Sequence, residues 1–203
     1  MDVPTPSSFL ILHGYENHRP PGHWQRYLAE ELTVRGHDVR YPQLPDPDAP
    51  DEAAWLEVAL ANLATLTEGP VTVVAHSASA VMWLRACSRA DAEGIEVPRV
   101  ARVAVVSPPE ADVMLAIPAV AAFAWRPTGE PLDLRADEAL VVIGGGDEFA
   151  PHGAAGIAPH VAAPVVEVPG AGHITPSSGY GEWPAMLDWC LGLPAFHPSH
   201  SPG

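Results

Sequence analysis

Residues 71–80 read VTVVAHSASA, an apolar run that passes directly into a helix-like segment with Ser77 at the junction. The run of β-branched residues over 71–75 predicts a strand that is buried on both faces of a parallel sheet. Because a predicted helix over 79–92 follows at once, the chain has to turn sharply at Ser77. Such a turn lifts the serine hydroxyl above the carboxyl edge of the sheet, where open α/β sheets form their functional sites.

Outward from this junction, strand-like and helix-like segments alternate along the whole chain. Further strands are predicted at 9–13, 38–41, 100–106, 139–143 and 165–168. Apolar residues at helical spacing predict further helices at 24–34, 51–66 and 184–191. The alternation predicts one α/β domain over residues 1–192. We expect a three-layer sandwich in which a six-stranded parallel sheet of order 2-1-3-4-5-6 carries helices on both faces.

Two segments, residues 42–50 and 107–136, lack a regular pattern, and the first is predicted to be a rigid, proline-rich loop. Residues 107–136 mix apolar residues with several prolines, and a stretch of that length in a compact domain is typical of a lid or a pocket wall. The alternative is a surface excursion packed on one edge of the domain. The polar, proline-containing end of the chain, residues 193–203, is predicted to be a disordered tail.

Two polar residues follow later strands at the same predicted edge. Asp147 comes after the fifth strand and its glycine run, and His173 comes after the sixth strand in a glycine-rich turn. Each residue alone has an ordinary explanation, since Ser77 is also a good helix cap, Asp147 a good turn residue and His173 an unremarkable loop histidine. Together, in the order serine, acid, histidine, they predict a nucleophile, an orienting acid and a general base. Glu148 is the alternative acid.

An acyl-transfer site of this kind also needs donors for an oxyanion and a substrate pocket. The N–H of Ala78, directly after the serine, and the N–H of Tyr15, in the loop after the first strand, are the expected donors. The residues expected to line the substrate pocket are His13, His76, Leu115, Phe123 and Trp125.

No cofactor or metal is expected. The glycines at 144–146 do not form a dinucleotide-binding fingerprint, and the chain contains no Walker motif. His13, His18 and His23 recur every five residues, which places them on no regular face, and they have no cysteine or aspartate partners there.

Composition excludes several classes of partner. The chain of 203 residues carries 10 Lys+Arg and 25 Asp+Glu, a formal charge of −15, which argues against nucleic acid and against anionic membrane surfaces. Cys87 and Cys190 are interpreted as reduced core thiols. Residues 1–4 show no basic leader and no apolar run reaches about 20 residues, so we expect a cytoplasmic, soluble protein.

On these residues the chain resembles the small single-domain serine hydrolases related to retinoblastoma-binding protein nine, a branch of the α/β hydrolases. The shared markers are 13–14, 23–24, 45–47, Trp55, 76–77, Asp147 and 172–173. The resemblance implies the same nucleophile, acid and base, and activity on small esters. Ala75 and Ser79 replace the glycines usual in that family, and we expect the Ser79 side chain to narrow the approach to Ser77.

The leading functional hypothesis is therefore a serine hydrolase that cleaves a small carboxylic ester or thioester through an acyl-enzyme. An acyltransferase on the same three residues is one alternative. A catalytically weak, protein-binding member of the family is another, favoured by the changes at Ala75 and Ser79. The expected partner is a small acyl substrate, and a protein partner or self-association stays open.

Overall fold

The sheet is the frame of the molecule. A computed structural model describes residues 7–196, and in it six parallel strands form one sheet of order β2-β1-β3-β4-β5-β6. The strands are β1 (Ser8–Leu12), β2 (Asp38–Arg40), β3 (Val71–His76), β4 (Val100–Val106), β5 (Ala136–Gly144) and β6 (Val165–Val168). The predicted architecture and strand order are confirmed.

Within residues 7–196, six α-helices connect or flank the strands. They are α1 (Trp24–Val34), α2 (Glu52–Ala64), α3 (Ala78–Glu93), α4 (Ala111–Ala116), α5 (Gly153–Ile157) and α6 (Pro184–Cys190). Short 3-10 turns lie at Ala121–Phe123, Ala158–His160 and Pro176–Ser178. As expected, Asp51 caps α2, since its carboxylate accepts the Ala54 N–H at 2.8 Å. The helices α4 and α5 were not predicted, because five or six residues are too few for a periodic pattern.

The segment 107–136 is more ordered than its sequence suggests. It contains α4 and the 3-10 turn at Ala121–Phe123, and its last residue, Ala136, is the first residue of β5. Phe123 is fully buried and packs edge-on against Trp55 at 5.3 Å between ring centroids. The indole N–H of Trp83, on α3, donates to the Leu134 carbonyl at 3.1 Å, so the segment is fixed over the α3 face of the sheet.

Each face of the sheet has its own apolar core. The helices α2 and α3 cover one face, and Trp55, Trp83 and Phe123 are its largest buried side chains. The helices α1 and α6 cover the other face, where Trp24 and Trp183 meet edge-on at 5.0 Å. Both faces of the central strands are thereby removed from water, as their continuous apolar runs require.

Some predictions fall at or beyond the ends of the described chain. The absence of a leader at residues 1–4 and most of the predicted disordered tail, 197–203, lie outside the described residues. Residues 193–196 have no regular secondary structure, although the Phe196 ring contacts Trp183 at 5.9 Å. Cys87 and Cys190 are buried free thiols, and burial raises the pKa of each to about 12. Within the described residues no helix is long and apolar enough to cross a membrane.

Two buried histidines support the loop after β1. His13 donates from Nδ1 to the Gly14 carbonyl at 2.9 Å, and its Nε2 accepts the Leu44 N–H at 2.8 Å. His23 caps α1 by accepting the Gln25 N–H. Burial is the main cause that lowers the pKa of each ring from 6.5 to about 4. Both imidazoles are therefore neutral in the folded protein.

Stability is expected to fall on acidification through these two rings. Between pH 6.5 and about pH 4 the unfolded chain binds protons that folded His13 and His23 do not, so the free energy of unfolding rises with pH in that window. Between pH 7 and about pH 5 we expect a loss of about 2 kcal/mol for each ring. Denaturant titrations at the two pH values measure it.

The matched comparison is between titrating and non-titrating substitutions. His13→Gln and His23→Gln should each reduce the slope of the free energy of unfolding against pH by about one proton. Leu32→Ala, a buried apolar change, should lower the free energy of unfolding equally at both pH values. An unchanged pH dependence in both histidine variants would contradict the assignment.

Candidate active site

The junction between β3 and α3 is a strained turn. Ser77 has φ 59° and ψ −124°, a backbone conformation that costs a non-glycine residue about 1–3 kcal/mol. Its N–H donates to the Val106 carbonyl of β4 at 3.0 Å, which holds the turn at the carboxyl edge of the sheet. The Ser77 hydroxyl does not cap α3. The helix-cap explanation for this serine is therefore wrong.

The serine hydroxyl instead belongs to a hydrogen-bonded chain of three side chains. Ser77 Oγ lies 2.8 Å from His173 Nε2, and His173 Nδ1 lies 2.8 Å from Asp147 Oδ2. The other oxygen of Asp147 accepts the Phe149 N–H at 2.9 Å, and its side chain is completely buried. With Nδ1 donating to the carboxylate, Nε2 is free to accept the serine proton. Glu148, the alternative acid, points to solvent.

The glycines around the acid and the histidine allow their two loops to touch. A Cβ on Gly144 would lie 1.8 Å from the Gly172 carbonyl oxygen, so no other residue fits at position 144 without moving the histidine loop. The Gly172 N–H donates to the Gly145 carbonyl at 3.2 Å, and Gly172 itself has φ +53°. Backbone contact between loops thus explains Gly144 and Gly145, while Gly146 has a φ of +79°, which favours glycine.

Two buried ring N–H groups fix the histidine loop from below. His76 Nε2 donates to the His173 carbonyl at 2.9 Å, and Trp24 Nε1 donates to the Ile174 carbonyl at 2.8 Å. Ile174 has φ 51°, so this loop also needs support against strain. Burial holds the pKa of His76 well below its usual range, and the proximity of His173 lowers it further, so His76 is a neutral donor.

The loop after β1 passes directly against the serine. A Cβ on Gly14 would lie 2.7 Å from Ser77 Cβ, so only glycine fits there without a shift. The next residue, Tyr15, and the first residue of α3, Ala78, have N–H groups that donate to no protein acceptor among the described residues. Two unpaired donors next to a serine hydroxyl are what stabilisation of an oxyanion requires.

The Ser79 side chain does not face the approach to Ser77. It is fully buried beneath the turn, where its hydroxyl lies 2.8 Å from the Leu12 carbonyl oxygen of β1 and accepts the His76 N–H at 3.2 Å. The prediction that Ser79 narrows the approach is therefore wrong, because β1 offers its hydroxyl an acceptor below. Ala75 is likewise buried, in the core on the α3 face.

Ser77 and His173 open onto a cavity of about 210 Å³. It is also lined by Gly14, Tyr15, Glu16, Asn17, Pro20, His23, His76, Thr175 and Pro176. Its walls come from the loop after β1 and from the histidine loop, both on one side of the serine. The cavity is small beside ordinary ligand sites, which span about 300–1,000 Å³.

Of the five residues expected to line the pocket, only His76 lines the cavity at Ser77. His13 is fully buried beneath Gly14 and supports its loop. Phe123 is in the core, Leu115 is exposed, and Trp125 borders another cavity. The last three lie elsewhere because the segment 107–136 covers α3 and leaves the β1 side open.

Two contacts of the site were not anticipated from the sequence. The Phe149 ring packs on His173 at 4.6 Å between centroids, and the Trp24 indole reaches the histidine loop 150 residues away. Trp24 could have been identified in part from the sequence, because residues 23–24 are among those that the chain shares with the serine hydrolases it resembles. Nothing local identifies Phe149. Within the described residues no cluster of three or more His, Cys, Asp or Glu is arranged to hold a metal.

Comparison with known proteins gives a family and a fold. The family model described as Serine hydrolase matches residues 9–190. Among solved structures, the ydeN gene product of B. subtilis is 22% identical over 93% of this chain and 98% of its own, with a TM-score of 0.71. A YdeN-like hydrolase from Pectobacterium atrosepticum is 21% identical over 94% and 92%, with a TM-score of 0.70.

A more distant likeness is to a structure from work on the metagenome-derived lipolytic enzymes LipS and LipT. It is 15% identical over 93% of each chain, with a TM-score of 0.61. At these identities the three likenesses establish the fold alone. A comparison with curated proteins gave no match.

Removing either ring donor should slow the reaction of Ser77 with a serine-directed fluorophosphonate. His76→Phe and Trp24→Phe keep an aromatic ring but leave a loop carbonyl without its donor, and misplacement of His173 should reduce the labelling rate about tenfold. Intact-mass time courses measure the rate. Trp183→Phe, which removes an indole that packs on Trp24, is the control and should label at nearly the parent rate.

Proposed function

The chain belongs to the serine hydrolase family, and we propose that it hydrolyses a small carboxylic ester or thioester through an acyl-enzyme on Ser77. The observation that carries the proposal is the position of His173, whose two ring nitrogens each lie 2.8 Å from a partner, Ser77 Oγ and Asp147 Oδ2. A base in contact with both the nucleophile and the acid is the requirement for serine activation.

The first half of the reaction acylates the serine. Ser77 Oγ attacks the carbonyl carbon while its proton moves to His173 Nε2, and buried Asp147 stabilises the imidazolium that forms. The N–H groups of Tyr15 and Ala78 are proposed to bind the carbonyl oxygen as it becomes negative. When the tetrahedral intermediate collapses, His173 returns its proton to the departing alkoxide or thiolate.

The second half regenerates the enzyme. Water enters beside His173, which removes a proton as the water oxygen attacks the acyl carbon. Collapse of the second intermediate breaks the ester bond to Ser77, His173 protonates Oγ, and a carboxylic acid leaves. The small cavity at Ser77 and His173 supports a compact leaving group.

Covalent labelling tests whether Ser77 is activated. We expect a fluorophosphonate to add once to the parent protein and not to Ser77→Ala, as read by intact mass. Ser107→Ala is the matched control, because Ser107 follows the neighbouring strand and also has a positive φ, yet its buried hydroxyl has no basic partner among the described residues. This variant should label like the parent. A folded parent that takes up no label would refute an activated serine and favour the protein-binding alternative.

The pH dependence of turnover tests the role of His173. With 4-nitrophenyl acetate, kcat/KM should fall about tenfold per pH unit on the acid limb, because a protonated imidazole does not accept the serine proton. Rates measured from about pH 5 to pH 9 define the limb. A flat profile over that range would rule out His173 as the base. Comparing kcat/KM for the matched thioester shows whether an oxygen or a sulfur leaving atom is preferred.

A further inference from the structure

A second cavity of about 350 Å³ lies at the same carboxyl edge of the sheet. Its walls come from the residues after β4, from the stretch before β5 and from α5. The apolar side chains that line it include Leu84, Pro108, Ala111, Trp125, Ile143, Ala150 and Ile157. Leu84, Ile143 and Ala150 are almost completely buried, so the floor of this cavity is part of the core on the α3 face.

Strand register gives the distance of this cavity from the nucleophile. His76 pairs with Val106 of β4, and Val106 pairs with Val142 of β5. Ser77 and Ile143 each follow one of these residues, so they lie at the same level of the sheet and two strands apart. At a strand spacing of about 4.8 Å, Ile143 is about 10 Å from Ser77.

The wall of the cavity is fixed to the loop that carries the acid. Glu110 accepts the His152 backbone N–H at 2.7 Å and contacts its ring Nδ1 at 2.6 Å, while its own N–H donates to the Phe149 carbonyl at 2.8 Å. The Ala150 N–H donates to the Asp147 carbonyl at 3.2 Å. The cavity is therefore held by the hydrogen bonds that also position Asp147.

The proposed reaction assigns the two cavities to different parts of a substrate. His173 has to protonate the leaving atom, so the leaving group lies on the side of the histidine loop, in the cavity of about 210 Å³. With the oxyanion directed to Tyr15 and Ala78, the remaining substituent of the tetrahedral carbon points away from His173. The larger apolar cavity lies at the same edge of the sheet, and none of its lining residues belongs to the histidine loop.

We propose that this second cavity binds the acyl chain of the substrate, and that the chain is unbranched. Since C–C bonds are near 1.5 Å, a chain of about six to eight carbons spans the distance of about 10 Å between Ser77 and Ile143. The inference rests on the proposed function. The rim favours an uncharged chain end, because the Arg126 guanidinium and the His152 ring each already contact a carboxylate, Asp112 and Glu110. With those two side chains engaged, a chain that ends in a methyl group suits the apolar floor of the cavity.

A chain-length series tests the proposal. For 4-nitrophenyl esters below their aggregation limits, kcat/KM should rise from acetate to octanoate by about fourfold for each methylene that enters the cavity. Ile157→Trp fills the cavity from α5 and should reduce the octanoate-to-acetate ratio tenfold or more. Ala155→Trp, an exposed change on the same short helix, should keep the parent ratio.

A variant from the opposite wall guards against a folding defect in α5. Ala111→Phe, at the start of α4, should lower the octanoate-to-acetate ratio in the same way. A parent that turns over acetate as well as octanoate, or a ratio unchanged in both filling variants, would overturn the acyl-chain assignment and leave the hydrolase proposal standing. A parent that hydrolyses no ester of any length and takes up no fluorophosphonate would overturn both.

Discussion

The close approach of the backbone at Gly144 to the Gly172 carbonyl sets the position of His173. Because a Cβ on Gly144 would lie 1.8 Å from that oxygen, two loops that follow different strands run in direct backbone contact. Asp147 lies at the end of one loop and His173 follows the other, so this contact sets their 2.8 Å hydrogen bond. The strain at Ser77 and Ile174 is offset by fixed donors and acceptors around them.

Neutral imidazoles supply several of the hydrogen bonds that fix these loops. His13 fixes the Gly14 carbonyl, and His76 fixes the carbonyl of His173, while burial lowers the pKa of both rings. A buried ring of this kind offers a hydrogen bond without a charge. The distinction matters next to His173, because a positive charge on His76 would oppose the imidazolium that forms during the proposed reaction. Buried histidines therefore suit this site better than lysine or arginine would.

The sequence was informative where a residue's position follows from the sheet alone. Continuous apolar runs located the strands, and side chains just beyond strand ends, Ser77, Asp147 and His173, had to meet at one edge. Prediction from sequence failed where a loop could pack on either side of the sheet. Leu115 and Phe123 line neither of the two cavities, because their segment covers α3 through contacts such as that of Trp83 with Leu134. The direction of Ser79 was likewise decided by a distant acceptor, the Leu12 carbonyl.

The unequal sizes of the two cavities help to decide whether the acyl group would be transferred to water or to another acceptor molecule. After the leaving group departs, the acceptor has to enter beside His173, through the cavity of about 210 Å³. That space suits a water molecule or a small alcohol and excludes bulky acceptors, whereas the cavity of about 350 Å³ is occupied by the acyl chain in the arrangement proposed here. Transfer to a large acceptor would require the loops of Tyr15 and Thr175 to separate. Because those loops carry the proposed oxyanion donor Tyr15 and the proposed base His173, such opening would also disturb the proposed reaction, and we therefore expect hydrolysis.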